Sequence, residues 1–175
     1  MLNRTLKRNI ITAYLISVPL GIFTILFVFV FPGLITDEGL GMILIVTTYG
    51  WATLGLFLSF LASIWYGSKK AHEKLLNGKK LLSASFKFSL TINTIIWLTF
   101  LIIVIINELY MKYELSLINI ESSDNGFFGL IYFLFLPLLA FIISVTGTTF
   151  TIGLLISYIF DKNIKKSKVL LETTG

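Results

Sequence analysis

Side chains that could carry chemistry are few in this sequence, and their spacing does not group them. His72 is the only histidine among 175 residues, and there is no cysteine to act as a nucleophile or bind a metal. A lone histidine in a lysine-rich segment is expected to be solvated, so we predict neither a metal site nor a bound cofactor. The sequence has no H-E-x-x-H motif and no acidic metal-binding motif. It therefore predicts a protein that is not an enzyme.

Uncharged polar residues lie instead inside long apolar stretches. Asn93 needs a partner there, and we expect a hydrogen bond to a neighbouring helix, with the lining of a polar pathway as the alternative. Small or weakly polar residues also recur at helical spacing, a pattern typical of close helix packing or of a pore lining. These residues are Thr48, Ala52, Gly55 and Ser59 in one stretch, and Ala140, Ser144, Gly147, Thr151, Gly153 and Ser157 in another.

The elements that carry these residues are predicted to be transmembrane helices. Hydrophobic residues make up 56% of the chain and charged residues 13%, a balance that is too apolar for a soluble domain. Four apolar runs, at about 10–31, 41–66, 88–107 and 138–160, are long enough to cross roughly 30 Å of hydrocarbon. No ionisable side chain lies inside them, which argues against a proton-coupled transporter. We predict one domain over residues 1–175, an all-α integral membrane bundle of four transmembrane helices.

The last apolar run belongs to a longer stretch, 127–160, which has no charged side chain. A single helix of that length would measure about 50 Å, well beyond the hydrocarbon thickness. Such a helix must bend, tilt or split, and Pro137 is the residue at which we expect a break. This prediction leaves 127–136 as an extra segment on the outer side of the membrane.

The distribution of basic residues predicts the topology. Thirteen of the fourteen lie before the first run, between the second and third, or after the fourth. The positive-inside rule places these segments, and so both termini, in the cytoplasm. We therefore expect a multi-pass membrane protein with both termini on the cytoplasmic side.

The connection 67–87 is predicted to form a short helical hairpin on the inner membrane surface. Gly67-Ser68 could end or re-cap a helix, and Asn77-Gly78 is a strong turn dipeptide. Its lysines could simply set the topology and contact anionic lipid, or they could bind an acidic protein partner. With those of the C-terminal tail, the candidates for lipid or partner binding are Lys69, Lys70, Lys74, Lys79, Lys80, Lys165, Lys166 and Lys168.

The second and fourth runs share the pattern T-x-G-L-x-[LI]-S-[FY]. A shift of 98 residues superposes Thr53 on Thr151, Gly55 on Gly153 and Ser59 on Ser157. Both copies would cross the membrane in the same direction, so the pattern predicts two parallel helical-hairpin repeats. Chance similarity is the alternative, because membrane sequences use few residue types. Under either interpretation we expect close helix packing around the two glycines.

The layout of four spans, inside termini and basic cytoplasmic loops resembles small membrane subunits of bacterial phage-defence systems, such as the membrane protein of the Kiwa system. The resemblance implies an oligomeric component of the prokaryotic inner membrane that works with a cytosolic effector. Our first hypothesis is accordingly a sensing or docking platform whose basic face recruits a soluble partner. The alternatives are a homo-oligomeric channel or pore and a transporter subunit for a small molecule or lipid. Expected partners are membrane lipids, further copies of the chain and a cytosolic protein, and nucleic acid is the disfavoured alternative.

Overall fold

The computed structural model describes residues 2–25, 50–117 and 127–173, and all but the turn at 77–80 are helical. The helices are α1 (Leu2–Ile25), α2 (Gly50–Leu76), α3 (Leu81–Leu117), α4 (Phe127–Thr148) and α5 (Leu154–Thr173). A π-helical turn, Thr149–Gly153, joins α4 to α5 without interruption. The described chain therefore forms four continuous helical rods.

Three segments are long and apolar enough to cross a membrane, namely Gly50–Leu76, Leu81–Asn107 and Leu138–Thr173. This result confirms the predicted helical architecture for the described residues, with three helices that are long and apolar enough to span a membrane. Part of the predicted first span, 10–31, lies outside the described residues. The start of the predicted second span, 41–66, which includes Thr48, also lies outside them.

The turn between α2 and α3 lies at Asn77-Gly78, as predicted. Gly78 has a φ of 71°, a left-handed conformation that glycine adopts without steric cost. Its N–H donates to the Leu75 carbonyl at 3.1 Å, and the Lys79 N–H donates to the Lys74 carbonyl at 3.1 Å. These two bonds form a Schellman motif, which satisfies carbonyls that the end of a helix would leave unpaired.

The predicted helix end at Gly67-Ser68 is wrong, because α2 runs through both residues to Leu76. Gly67 lies against α3, where a Cβ would stand 3.2 Å from the Phe88 carbonyl oxygen. Glycine thus serves here for close helix packing and does not terminate the helix. The hairpin is consequently a direct extension of α2 and α3.

The helical rod of residues 127–173 also differs from the prediction. The helix continues across Pro137, so the segment 127–136 belongs to α4 and is not a separate element. Membrane helices tolerate proline because neighbouring groups compensate for the lost backbone bond. The irregularity occurs at the π-helical turn, where the Leu154 N–H donates to the Thr149 carbonyl five residues earlier.

The interior of the bundle is small and polar, and many large apolar side chains lie on its outside. Ile64, Phe88, Ile156 and Phe160 are among the few large apolar residues that are fully buried. The other buried positions include many polar residues: Thr5, Asn9, Ser17, Ser63, Ser68, His72, Ser85, Ser89, Asn93, Thr149 and Ser157. This inversion is expected when lipid surrounds a bundle, since small residues let helices approach and apolar residues face hydrocarbon.

Candidate functional site

Helix packing collects the basic segments of the sequence at one end of the bundle, which we call the basic end. The start of α1 contacts α2 and α5 there, and the α2–α3 turn lies beside them. The acidic residues described at this end are Glu73, Asp161 and Glu172. The basic residues are Arg4, Lys7, Arg8, Lys69, Lys70, Lys74, Lys79, Lys80, Lys87, Lys162, Lys165, Lys166 and Lys168. Thirteen basic groups against three acidic ones give this end a positive field.

A buried polar network connects three helices at the basic end. The Asn9 side chain donates its amide N–H to His72 Nδ1 at 3.0 Å, and Asn163 Nδ2 donates to Asn9 Oδ1 at 2.7 Å. An amide nitrogen can only donate, so His72 Nδ1 accepts and its proton lies on Nε2. Asn9 is fully buried and His72 is 2% exposed. The network therefore fixes the positions of α1, α2 and α5 relative to one another.

The expectation that His72 is solvated is wrong. Because α2 does not end at Gly67, His72 lies on the same buried helical face as Ile64 and Ser68. A signal for this arrangement was present in the sequence: Thr5, Asn9, Ala13 and Ser17 recur every four residues in α1, and all four are buried. Such a stripe of small and polar residues is typical of a helix-packing face.

A second row of hydrogen bonds joins α1 to α5 nearer the chain ends. The hydroxyls of Thr5 and Ser167 lie 2.6 Å apart. Ser167 Oγ donates to the Asn163 carbonyl at 3.0 Å, so the Thr5 hydroxyl donates to Ser167. Arg8 Nη2 also donates to the Asn163 carbonyl, at 3.3 Å. These bonds hold the N-terminal helix against the C-terminal one.

A groove of about 340 Å³ runs along this contact, and we call it the α1–α5 groove. It is lined by Arg4, Thr5, Arg8, Ser167 and Leu170. A much smaller cavity, of about 10 Å³, is lined by Thr5, Ser167 and His72 and has room for about one water molecule. The groove is thus the larger of the two spaces and the one that arginines line.

The lysines of the hairpin lie next to aromatic rings and acidic groups. The ammonium groups of Lys69 and Lys70 lie 5.8 Å from the Trp65 ring centroid and 5.6 Å from the Tyr66 ring centroid, respectively. Lys70 also pairs with Glu73 at 3.3 Å. In α5, Lys165 pairs with Asp161 at 2.6 Å. Two of the three acidic groups at the basic end are therefore already paired with lysines. Lys79, Lys80, Lys166 and Lys168 are exposed, and Lys74 is half-buried.

The two motif glycines have different surroundings. A Cβ at Gly153 would stand 2.5 Å from Ser85 Oγ and 3.0 Å from Ser89 Oγ, so α3 packs closely against the π-helical turn. Ser85 Oγ also donates to the Thr149 carbonyl at 2.6 Å. At Gly55, by contrast, the nearest atom to a Cβ would be Ile103 Cδ1 at 3.9 Å, an ordinary contact. Close packing is therefore found at Gly153 and not at Gly55.

Asn93 makes the predicted hydrogen bonds with a neighbouring helix. Its Nδ2 donates to Thr148 Oγ1 at 3.0 Å, and Ser144 Oγ donates to its Oδ1. Asn93 Nδ2 also reaches the Ser89 carbonyl of its own helix at 2.8 Å. The side-chain amide of Asn93 thus links α3 to α4 through two hydrogen bonds.

The other packing or pore candidates fall into an inward group and an outward group. Ala52 and Ser157 are buried. Ser59 is half-buried and donates to the Leu56 carbonyl in its own helix. Ala140, Gly147 and Thr151 are exposed, and a Cβ at Gly147 would meet no atom within 4 Å. Repeat positions Gly55 and Ser59 thus differ in environment from Gly153 and Ser157, and the duplication stays a prediction.

Known proteins do not extend this description. No family of proteins, no curated protein and no solved structure matches the chain. Within the described residues, no group of three His, Asp or Glu side chains is arranged to hold a metal ion. The resemblance to phage-defence membrane subunits therefore stays a matter of layout.

Proposed function

We propose that this chain is a non-enzymatic docking platform of a prokaryotic inner membrane, with four spans and both termini in the cytoplasm. Its basic end recruits an acidic cytosolic protein. The observation that carries the proposal is the gathering of thirteen basic side chains at one end, on four helix segments distant in sequence. A concentrated field of this kind attracts acidic partners and increases their rate of association.

The α2–α3 hairpin is the part of the basic end that we assign to the soluble partner. Trp65 and Tyr66 are exposed and lie beside Lys69 and Lys70, a combination typical of the membrane–water interface. From Tyr66, α2 continues for ten residues, so its end would project about 15 Å beyond that boundary. The Schellman turn fixes the backbone of Lys79 there, and the lysine side chain is exposed.

The test begins with a photo-crosslinking residue at Asn77, introduced in cells, to identify the proteins that lie against the turn. The partner is then purified, and its affinity for the full-length protein in nanodiscs is measured at low and high salt. We expect an acidic partner whose binding weakens as salt rises, because salt screens charges beyond about 8 Å at physiological ionic strength. Changing four hairpin lysines to glutamine, Lys69, Lys70, Lys79 and Lys80, should weaken binding by about tenfold.

The matched control changes four lysines of α5 to glutamine, namely Lys162, Lys165, Lys166 and Lys168. This variant loses the same charge at the same end of the bundle, but the hairpin keeps its lysines. Equal weakening by the two variants would mean that the hairpin is not the docking surface. Crosslinking that captures no protein, or an affinity unchanged by the hairpin substitutions, would contradict the platform.

A homo-oligomeric pore is the second candidate, and the outward position of Gly147 and Thr151 favours it. These residues are exposed beside Ala140, so a second copy could pack closely against this face. If such an assembly conducts, Thr151→Val should change ion flux through liposomes that contain the purified protein. The platform predicts no flux above that of empty liposomes.

A role in phage defence follows only from the layout, and we propose it as the setting in which the platform acts. Deleting the gene from its native host would then increase the plating efficiency of some phages. The hairpin lysine variant should fail to restore protection, while the α5 lysine variant should restore it.

A further inference from the structure

The α1–α5 groove contains two arginines, Arg4 and Arg8, for which the described part of the chain supplies no carboxylate partner. Arg4 and Arg8 are one helical turn apart on α1 and line the same side of the groove. The ion pairs found within the described residues join Lys70 to Glu73 and Lys165 to Asp161, so neither arginine takes part in one. Their N–H groups can therefore bind an anion from outside the chain.

The walls of the groove are held in place by the protein itself. Thr5 and Ser167 join them through the 2.6 Å hydroxyl contact, and Thr5 is 5% exposed. Arg8 is oriented by its bond to the Asn163 carbonyl, which uses one of its five N–H donors. The remaining donors of a guanidinium match the oxygens of a phosphate group, which it can bind in a forked, bidentate manner.

The surface of α1 beyond the arginines indicates what carries the phosphate. Arg4, Arg8, Ile11 and Leu15 follow one another at spacings of four, three and four residues, so they share one helical face. Ile11 is 50% exposed and Leu15 is 70% exposed. Leu15 lies about 10 Å along the helix from Arg8. An anion with acyl chains would contact both parts of this face, whereas free phosphate would leave the apolar part uncovered.

We propose that the α1–α5 groove binds the headgroup phosphate of an anionic phospholipid, whose acyl chains lie along Ile11 and Leu15. A volume of about 340 Å³ is suitable for a headgroup, at the small end of ligand pockets. The excess of basic over acidic residues at this end selects an anionic lipid over a zwitterionic one. The site is separate from the hairpin lysines and does not depend on a soluble partner.

The experiment is native mass spectrometry of the full-length protein in detergent, titrated with phosphatidylglycerol and, separately, with phosphatidylcholine. We expect phosphatidylglycerol to bind more tightly. Changing both Arg4 and Arg8 to glutamine should weaken its binding by about tenfold or more, as expected for lost hydrogen bonds to a charged group. The matched control, Lys162→Gln with Lys166→Gln, removes the same charge from exposed residues outside the groove and should change binding less than about threefold.

Two further variants separate the contributions of charge, guanidinium geometry and apolar contact to lipid binding. Lysine at both arginine positions keeps the charge but lacks the forked geometry of a guanidinium, so it should weaken phosphatidylglycerol binding less than glutamine does. This variant tests the site even if the glutamine variant does not fold. Alanine at Ile11 and Leu15 should weaken lipid binding while the arginines stay in place. If the glutamine variant of Arg4 and Arg8 and the glutamine variant of Lys162 and Lys166 lost the same lipid affinity, the lipid would be held by diffuse electrostatic attraction. That result would overturn the groove as a specific site. Competition by millimolar inorganic phosphate, with no effect of the alanine changes, would assign the groove to free phosphate and overturn the lipid.

Discussion

Adding one methyl group at each of the two motif glycines should have opposite effects on stability. At Gly153 the new Cβ would lie 2.5 Å from Ser85 Oγ and 3.1 Å from the Thr148 carbonyl oxygen. Ser85 Oγ can move away only by giving up its bond to the Thr149 carbonyl. At Gly55 the added carbon would make an ordinary contact at 3.9 Å.

The magnitudes follow from these contacts. Overpacking a closely packed site costs about 1–3 kcal/mol, and losing an interhelical hydrogen bond in a membrane protein costs roughly 0.6–2 kcal/mol. Alanine recovers about 1 kcal/mol over glycine through its higher helix propensity. Together these contributions predict that Gly153→Ala destabilises the protein by about 0.6–4 kcal/mol. Gly55→Ala lacks the first two costs and should stabilise it by up to about 1 kcal/mol.

The assay is the free energy of unfolding of the purified protein in mixed micelles, measured by titration with sodium dodecyl sulfate. A double variant, Ser85→Ala with Gly153→Ala, removes the hydroxyl that the new methyl group would strike. It should recover part of the loss caused by Gly153→Ala. Equal destabilisation by the two single alanine variants, or no rescue in the double variant, would refute the distinction between the glycines.

Three further predictions concern orientation and the buried polar groups. A single cysteine at Asn77 should resist a membrane-impermeant thiol reagent in intact cells, whereas one at Asp124 should react, because positive-inside topology places only position 124 outside. Asn93→Ala should lower the free energy of unfolding by about 1–2 kcal/mol, since it removes the bonds to α4. Asn9→Ala should cost about 1–3 kcal/mol, because it leaves the buried His72 Nδ1 without its donor.

Each of these predictions has a control and a contrary outcome. As a control, both cysteines should be labelled once the membranes are permeabilised. Labelling of position 77 but not of position 124 in intact cells would show that the topology is the reverse of the predicted one. Thr146→Ala is the control for Asn93, because Thr146 is exposed and donates to the Ile142 carbonyl of its own helix. Lys7→Ala is the control for Asn9, since Lys7 is exposed on the same helix. If a buried substitution costs no more than its control, the hydrogen bonds in question do not stabilise the bundle.

Some features of the candidate site could be predicted from the sequence because they depend on local chemistry. Asn77-Gly78 ends a helix since glycine alone adopts the left-handed conformation there without steric cost. An asparagine in an apolar helix must find a polar partner, so the interhelical bonds of Asn93 were expected. The environment of His72 was misjudged, because a helix end assigned at Gly67 removed this residue from the bundle face to which it belongs.

The sequence by itself determined that the described segments are helical and that three of the four predicted spans are long and apolar enough to cross a membrane. Composition, apolar run length and turn residues act over a few neighbouring positions, and they are sufficient for those conclusions. Tertiary structure alone decided which glycine packs closely against another helix, where α4 passes into α5, and how Asn9, His72 and Asn163 come together. These features depend on which helical faces meet, and a repeated motif gives no information about the partner that each copy encounters. The physical reason is that close packing is a property of two surfaces, while a sequence pattern describes only one.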